Sequence, residues 1–425
     1  MPDLMPRHVQ PPRDVVIVGG SLAGLMHGIM FKRMGSNVTI LEQDASPERR
    51  PHSAGIGFGV NLENFLSEYD LTRSQASIPM LCAHLSWRKH VGVWRAPVRR
   101  QLTSWGLLYR ILRANLDGVP PTTTRAGDGV VTYRSAARVY DLEPSGDDES
   151  MIVRFQNVLT EKCDSVEAEL VIGADGIHSA VRKLLRPMIR PQYAGYVVWR
   201  AMVPENEVSI EVAKFFSDGA ATQLLKNSYI VCYVIPTDDG CFEPGKRVIN
   251  WLWYYNVDEE SPEMTEIFTD IKGRHHKNTV PAGLICTAVW ERHRDQMLPH
   301  MAAPFADLIR TTKSPFVTKV NDVLCTESSF FDDRVILVGD ASTTVRPHLA
   351  ASTDHAAWQC LSLAKVLSGQ STQRRRSRDV AAESERLWLT SRLVGYFGQS
   401  SWLSLLQTTF SYILFSIRTR FRLAL

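Results

Sequence analysis

Three short runs of aliphatic and β-branched residues, each closed by glycine or aspartate, punctuate the chain. They are RDVVIVG at Arg13–Gly19, AELVIGADG at Ala168–Gly176 and RVILVGD at Arg334–Asp340. Apolar runs of this length without alternation predict buried parallel strands. Helix-forming residues from Ser21 to Met34 follow the first run, and Asn37–Leu41 (NVTIL) predicts a second strand ending at Glu42, so the chain opens β-α-β. Ser179–Leu185 and about 356–367 read as helices behind the other two runs. A different texture lies between: Tyr193–Val203, Ser228–Ile235 and Arg247–Tyr255 are rich in aromatic and β-branched residues and predict longer strands. Along NWLWY, period-two alternation sets Asn250, Leu252 and Tyr254 on one face and Trp251 and Trp253 on the other. One of these faces should roof a pocket. The pattern as a whole is α/β with a second, sheet-rich unit.

The ends differ from the body. Met1–Asp14 reads as a loose arm without the apolar stretch of a secretory signal. Ser371–Arg378 (STQRRRSR) reads as a basic polar loop. Trp402–Ile417 is an apolar run interrupted by Ser, Thr and Gln and followed by Arg418, Arg420 and Arg422. It falls short of the roughly 20 apolar residues of a spanning helix. The first reading is a helix packed on the body, the second is weak interfacial membrane association through 402–422, and the third is a short true span. Hydrophobic residues make up 44% and charged residues 22% of the 425, which excludes global disorder. The net charge of +3 gives no support for nucleic-acid binding. Seven scattered cysteines without a CxxC pair exclude a disulfide scaffold and a zinc ribbon, and point to a reducing, cytoplasmic setting. His275-His276 reads as a solvent-facing loop with no metal set around it.

The turn after the first strand, Gly19-Gly20-Ser21-Leu22-Ala23-Gly24, is a G-x-G-x-x-G fingerprint with Ser21 in the second glycine place. The first glycine makes the tight turn, the second lets a pyrophosphate approach the backbone, and the third lets helix and strand pack. Glu42, at the end of the second strand, is placed to accept hydrogen bonds from ribose hydroxyls. The same residues nearly fit the G-x-S-x-G nucleophile elbow of hydrolases, but no Asp and His stand out as triad partners.

Leu170–Arg182 (LVIGADGIHSAVR) and Val335–Ala341 (VILVGDA), taken with that fingerprint, resemble the three signature motifs of the single-component (class A) FAD-dependent aromatic hydroxylases, which have the p-hydroxybenzoate hydroxylase fold. Ser104-Trp105, Leu108-Tyr109-Arg110, YVVWRAMVPE at Tyr196–Glu205, NWLWY, Pro315-Phe316 and Arg346-Pro347-His348 are similar to the 2,6-dihydroxypyridine 3-monooxygenase-like branch. The resemblance implies a Rossmann-like FAD-binding domain over 12–80, 101–190 and 325–385, a substrate-binding sheet domain over 81–100 and 191–324, and a C-terminal helical region over 386–425. By the same resemblance Gly19, Ser21, Leu22, Ala23 and Gly24 hold the FAD pyrophosphate and Glu42 the adenosine ribose. Arg110 reaches the cofactor, Gly55 and Ile56 pass close to the flavin, Asp175 belongs to the DG motif, and Gly339-Asp340 contact the ribityl side. Pro347 and the turn to Ser352 and Thr353 line the ring, with the next helix aimed at it. The chain departs from the family at Ala350-Ala351-Ser352-Thr353-Asp354-His355, where glycine is usual.

The implied reaction uses NAD(P)H and O2 to hydroxylate an electron-rich phenolic or N-heteroaromatic small molecule through a flavin C4a-hydroperoxide. The protein supplies orientation and a proton path. His348, beside Pro347, is the candidate relay; Arg200, Asn250 and Tyr254 are the candidate substrate contacts. Two alternatives stay open at this point. One is a flavin monooxygenase of secondary metabolism performing epoxidation, oxidative decarboxylation or dearomatisation. The other is a non-oxygenating scaffold, either a cyclisation catalyst or a binding protein. A homodimer is also left open.

Overall fold

A computed structural model describes residues 11–46, 54–87, 89–146 and 148–423. The expected N-terminal arm therefore lies, up to residue 10, outside the described residues. The three apolar runs form adjacent strands of one six-stranded sheet, in the order Ser329–Phe330, Val335–Leu337, Leu170–Gly173, Asp14–Val18, Asn37–Leu41, Val131–Arg134. Only the first pair is antiparallel. The central strands are buried on both faces, which is why they read as continuous rather than alternating. Leu22–Arg33 and Ser352–Leu367 pack on one face over a core of Leu25, Ile29, Phe31, Ile40 and Ile172. A three-stranded sheet, Ala137–Pro144, Met151–Asn157 and Cys163–Ala168, covers the other.

The second sheet is built around Gln192–Pro204, Val248–Asn256 and Ser228–Ile235, all antiparallel. It extends through Ala220–Leu225 to the long hairpin Ile78–Trp87 and His90–Ser104, and ends on Gly55–Phe58. The sheet thus reaches beyond 81–100 and 191–324, drawing Gly55–Phe58 and the start of the hairpin out of the nucleotide-binding unit. Alternation along NWLWY is resolved by burial. Trp251 and Trp253 pack with Ile249, Phe305 and Trp290 under a helical layer, while Leu252 and Tyr254 join Tyr229 and Tyr233 on the opposite face.

Two sequence expectations are corrected. The 371–378 stretch is not a loop. Thr372 accepts a hydrogen bond from the Arg375 amide at 3.3 Å and caps the long helix Gln373–Gly398. Arg376 is buried within it, between Asp333 and Cys360, so this arginine-rich stretch is not simply a solvated surface. The helix also straddles the expected boundary at 385/386. His276 is not free in solvent: its Nε2 lies 2.7 Å from Asp270 Oδ2, while His275 is exposed. The helix Trp402–Leu423 lies along the long helix, tied by Arg418 to Glu385. Among the described residues no helix is long and apolar enough to cross a membrane.

Candidate active site

The glycine turn is set by close approach. Gly19 has φ +104°, and a Cβ there would sit 2.5 Å from the Ala174 carbonyl oxygen. A Cβ on Gly24 would lie 1.9 Å from the Gly19 oxygen, so the first helix can press on its strand only with glycine there. Ser21, by contrast, holds the N-cap place at φ −91°, which any L-residue adopts, and its hydroxyl makes no capping bond. The leading amides of the helix therefore face the neighbouring cavity without a side-chain partner. A helix N-terminus in that state suits a phosphate.

That cavity, of ≈ 350 Å3, gathers most of the expected cofactor residues. Ser21, Leu22, Ala23, Gly55, Ile56, Gly339, Asp340, Pro347, Ser352 and Thr353 all line it, with Arg200 and Trp105. Gly339, at φ +57°, packs so tightly on Ala23 that a Cβ would lie 2.8 Å from it. Burial lifts the Asp340 carboxyl to about 6, against the pull of Arg182. The helix Ser352–Leu367 opens on the far end of the cavity, again with no side-chain cap at its N-cap Ala351. Two helix N-termini thus converge on one channel. Glycine backbone, uncapped amides and the half-buried carboxyl fit a flavin dinucleotide lying along it, its negative groups at the positive helix ends.

The departures from the family pattern find local answers. Ala350 takes the left-handed conformation, φ +48°, where glycine is ordinary, and Gly57 opposite makes the room: a Cβ there would lie 2.9 Å from the Ala350 Cβ. Asp354 turns away from the channel. Its Oδ1 accepts from the Gly59, Asn61 and Leu62 amides at 2.9, 3.1 and 3.0 Å, capping the helix Val60–Tyr69.

Several expected contacts stand elsewhere. Glu42 is buried beneath the turn, its oxygens accepting from the Gly20 amide at 2.7 Å and the Asp44 amide at 2.9 Å. Asp175 folds back to cap the helix Ala180–Leu185, accepting from Ser179 Oγ at 2.5 Å and the Ala180 amide at 2.6 Å, and Gly176 lines the channel in its place. Arg110 is exposed beside Gly240 and does not line the cavity, whereas Trp105, one turn earlier, does. Asn250 does not line a pocket either; its Oδ1 accepts from the Gly55 amide at 3.2 Å and fixes the strand beside the channel.

A second cavity, of ≈ 440 Å3, adjoins the first and shares Gly57, Tyr233, Leu252, Pro347 and Ala350 with it. Its walls are largely apolar, from Met80, Leu85, Val98, Leu102, Leu224 and Val231. Arg100 and Thr222 also line it, and Tyr229, Tyr254 and His348 form a ring-to-ring cluster in its wall. His348 Nε2 lies 2.5 Å from the Tyr196 hydroxyl, and Nδ1 meets the Tyr229 hydroxyl. A neutral imidazole donates through one nitrogen and accepts through the other. Burial first, and the Arg346 cation second, push His348 down to about 3, so it is neutral. Burial raises all three tyrosines. Tyr254 stacks on Tyr229 at 4.6 Å between centroids. Behind Tyr196, Arg346 is held by Asp322 at 2.6 Å.

Sequence reasoning placed His348 and Tyr254 but missed Tyr229, Tyr233 and the two glycines that admit them. A Cβ on Gly395 would lie 2.8 Å from His348 Nε2, and one on Gly398 would lie 2.4 Å from the Tyr229 ring. Helix-interior glycines so close together were the available signal.

A family described as FAD binding domain-like matches residues 193–322. The chain is 30% identical over 379 residues to 2,6-dihydroxypyridine 3-monooxygenase of Paenarthrobacter nicotinovorans, covering 85% of this chain and 84% of that one. The solved 2,6-dihydroxypyridine-3-hydroxylase from Arthrobacter nicotinovorans superposes with a TM-score of 0.76 at 26% identity, covering 93% of this chain and 94% of that one. Klebsiella pneumoniae HpxO, solved with FAD and uric acid, shares the fold at a TM-score of 0.67 and 15% identity, covering 95% and 93%.

Proposed function

The chain belongs to the single-component FAD-dependent aromatic hydroxylases, and from that premise we propose that it hydroxylates an electron-rich phenolic or N-heteroaromatic ring held in the apolar cavity behind Pro347, with NAD(P)H as reductant. The contiguity of the two cavities carries this reading: five residues belong to both, so a ring in one lies against whatever fills the other. Reduced FAD, when bound, supplies the activation of O2.

The chain's own residues do the rest. The amide ends of the two helices and the Asp340 carboxyl anchor the dinucleotide; Glu42 and Asn250 hold the turn and strand that border it. Arg200 lines the first cavity, with its Nε unpartnered among the described residues, and Arg100 lines the second; these are the two cations on hand for an anionic ring oxygen. Hydroxylation is faster on a deprotonated phenol. Tyr229, neutral His348 and Tyr196 form a hydrogen-bonded line that takes that proton from the cavity wall toward Arg346 and Asp322. His348 acts as a two-sided relay rather than as a cation.

The outward apolar side of Trp402–Leu423 supports weak membrane contact through 402–422; a homodimer across the same side is the competing use.

NAD(P)H consumption by the FAD-loaded protein tests the function. Hydroxypyridines or phenols are expected to accelerate it with formation of a hydroxylated product. A rate indifferent to every such ring would overturn the reading.

A further inference from the structure

The C-terminal helix is apolar on both sides: it buries Phe415 and half-buries Leu405 and Tyr412, yet turns a second apolar stripe outward. Leu403, Leu406, Phe410, Ile413 and Ile417 form an exposed stripe, each at least 47% accessible. Ser404, Thr408, Ser416 and Thr419 face the body alongside Leu405, Tyr412 and Phe415, and Ser416 and Thr419 bond their own helix at Tyr412 and Phe415. A surface helix normally turns its apolar stripe inward. Its first residue, Trp402, meets Phe397 edge-on at 6.5 Å, and Phe397 lines the substrate cavity while remaining half exposed.

A second element presents the same chemistry across that cavity. Cross-strand partners share a sheet face. Trp94 pairs with Leu85 and Trp87 with Leu224, and both Leu85 and Leu224 line the cavity. Trp87 and Trp94 therefore continue the cavity wall outward, and they are 51% and 56% exposed. Patches of this extent mark an interaction surface.

Charge selects the partner. Ile78–Ser104 holds five Lys or Arg and no Asp or Glu; Trp402–Leu423 holds three Arg and no Asp or Glu. With a whole-chain charge of +3, the rest of the protein is net negative. Lys89, Arg99 and Arg420 are exposed, while Arg95 and Arg418 pair with Asp218 and Glu385. Tryptophan, apolar side chains and unopposed cations together match the headgroup layer of an anionic bilayer.

We propose that the 78–104 hairpin and the C-terminal helix seat the mouth of the substrate cavity on an anionic lipid surface, from which a lipophilic aromatic enters, a use that rests on the hydroxylase reading above.

Vesicle co-sedimentation of the FAD-loaded protein tests it. Wild type is expected to bind vesicles containing anionic phospholipid, to release with salt, and to ignore purely zwitterionic ones. Trp87→Ser with Trp94→Ser, and separately Leu406→Ser with Phe410→Ser, should each weaken binding by about tenfold or more. Neither pair touches the cofactor channel, so FAD content should stay at the wild-type level in both, and turnover of a water-soluble phenol should stay there in the Leu406/Phe410 pair, which lies off the cavity wall. If one pair fails to fold, the other still decides. Wild type that ignores anionic vesicles, or binding that survives both pairs, overturns the proposal. So does light scattering that shows a dimer lost in the Leu406/Phe410 variant with no vesicle binding by wild type. Sedimentation is read without turnover, so an inactive protein that still binds vesicles would refute the hydroxylase reading alone.

Discussion

Asp340 shows how one side chain can couple burial to cofactor binding. Its carboxyl is lifted to about 6 because it is desolvated at the channel wall, where Arg182 only partly compensates. Asp340→Ala removes the half-buried carboxyl that lines the first cavity and is proposed to meet the dinucleotide. FAD should bind about 10- to 100-fold more weakly, the range for a lost hydrogen bond to a charged group; fluorescence of released flavin measures it, and a variant that keeps its full yellow absorbance would refute the contact. His348 works through shape rather than charge. His348→Gln should lower kcat about 100-fold or more with little change in KM or FAD content, the scale of lost proton transfer. Raising the pH toward the substrate's own pKa should recover much of the rate; a loss independent of pH would mean a packing role only. The glycine positions were legible in the sequence because sterics allow nothing else at Gly19 and Gly24. The chemistry of Asp175 was not. A carboxylate beside Gly176 reads equally as a ligand contact or as the cap of the helix four residues on, and only the fold shows that Ser179 and Ala180 take it.

At the scale of elements, buried strands and the opening β-α-β unit were legible because continuous aliphatic runs admit few other states. The face of NWLWY that meets the pocket was not, since both faces are buried and differ only in what lies beyond them. The long helix was misread at its start because arginines suggested solvent, although Thr372 stood ready as a cap. Its distal end matters more for function. Gly398→Ala gains helix propensity of about 1 kcal/mol, but the added Cβ would sit 2.4 Å from the Tyr229 ring. Overpacking of that kind costs about 1–3 kcal/mol. The variant should melt no higher than wild type, retain FAD, and show a raised KM as Tyr229 shifts into the cavity. A higher melting temperature with unchanged KM would show that the helix does not press on the tyrosine.

For the whole molecule, burial lowers five histidines: His27 and His355 to about 4, His348 to about 3, and His178 and His293 in the same direction. The unfolded chain protonates them near 6.5, so on acidification it takes up protons that the folded state refuses, and stability falls from pH 6.5 toward 4. Asp340 acts in the opposite sense below about 6, since there the folded state binds the proton first. The depressed histidines outnumber the raised carboxyls, so acid destabilises the fold on balance. Thermal melts of the FAD-free protein should record this decline; a melting temperature constant from pH 6.5 to 4.5 would contradict it. Of these groups only His348 lines the second cavity, where it meets Tyr229 and Tyr196 in the proposed proton path, and the shared wall at Pro347 and Ala350 sets that cavity against the first. The most direct test of this arrangement is turnover under isotopically heavy O2, with NAD(P)H and an activating hydroxypyridine or phenol, read by mass spectrometry. The account predicts one heavy oxygen atom in the ring product. Product oxygen drawn from water, or peroxide released with the ring unchanged for every substrate, would contradict it.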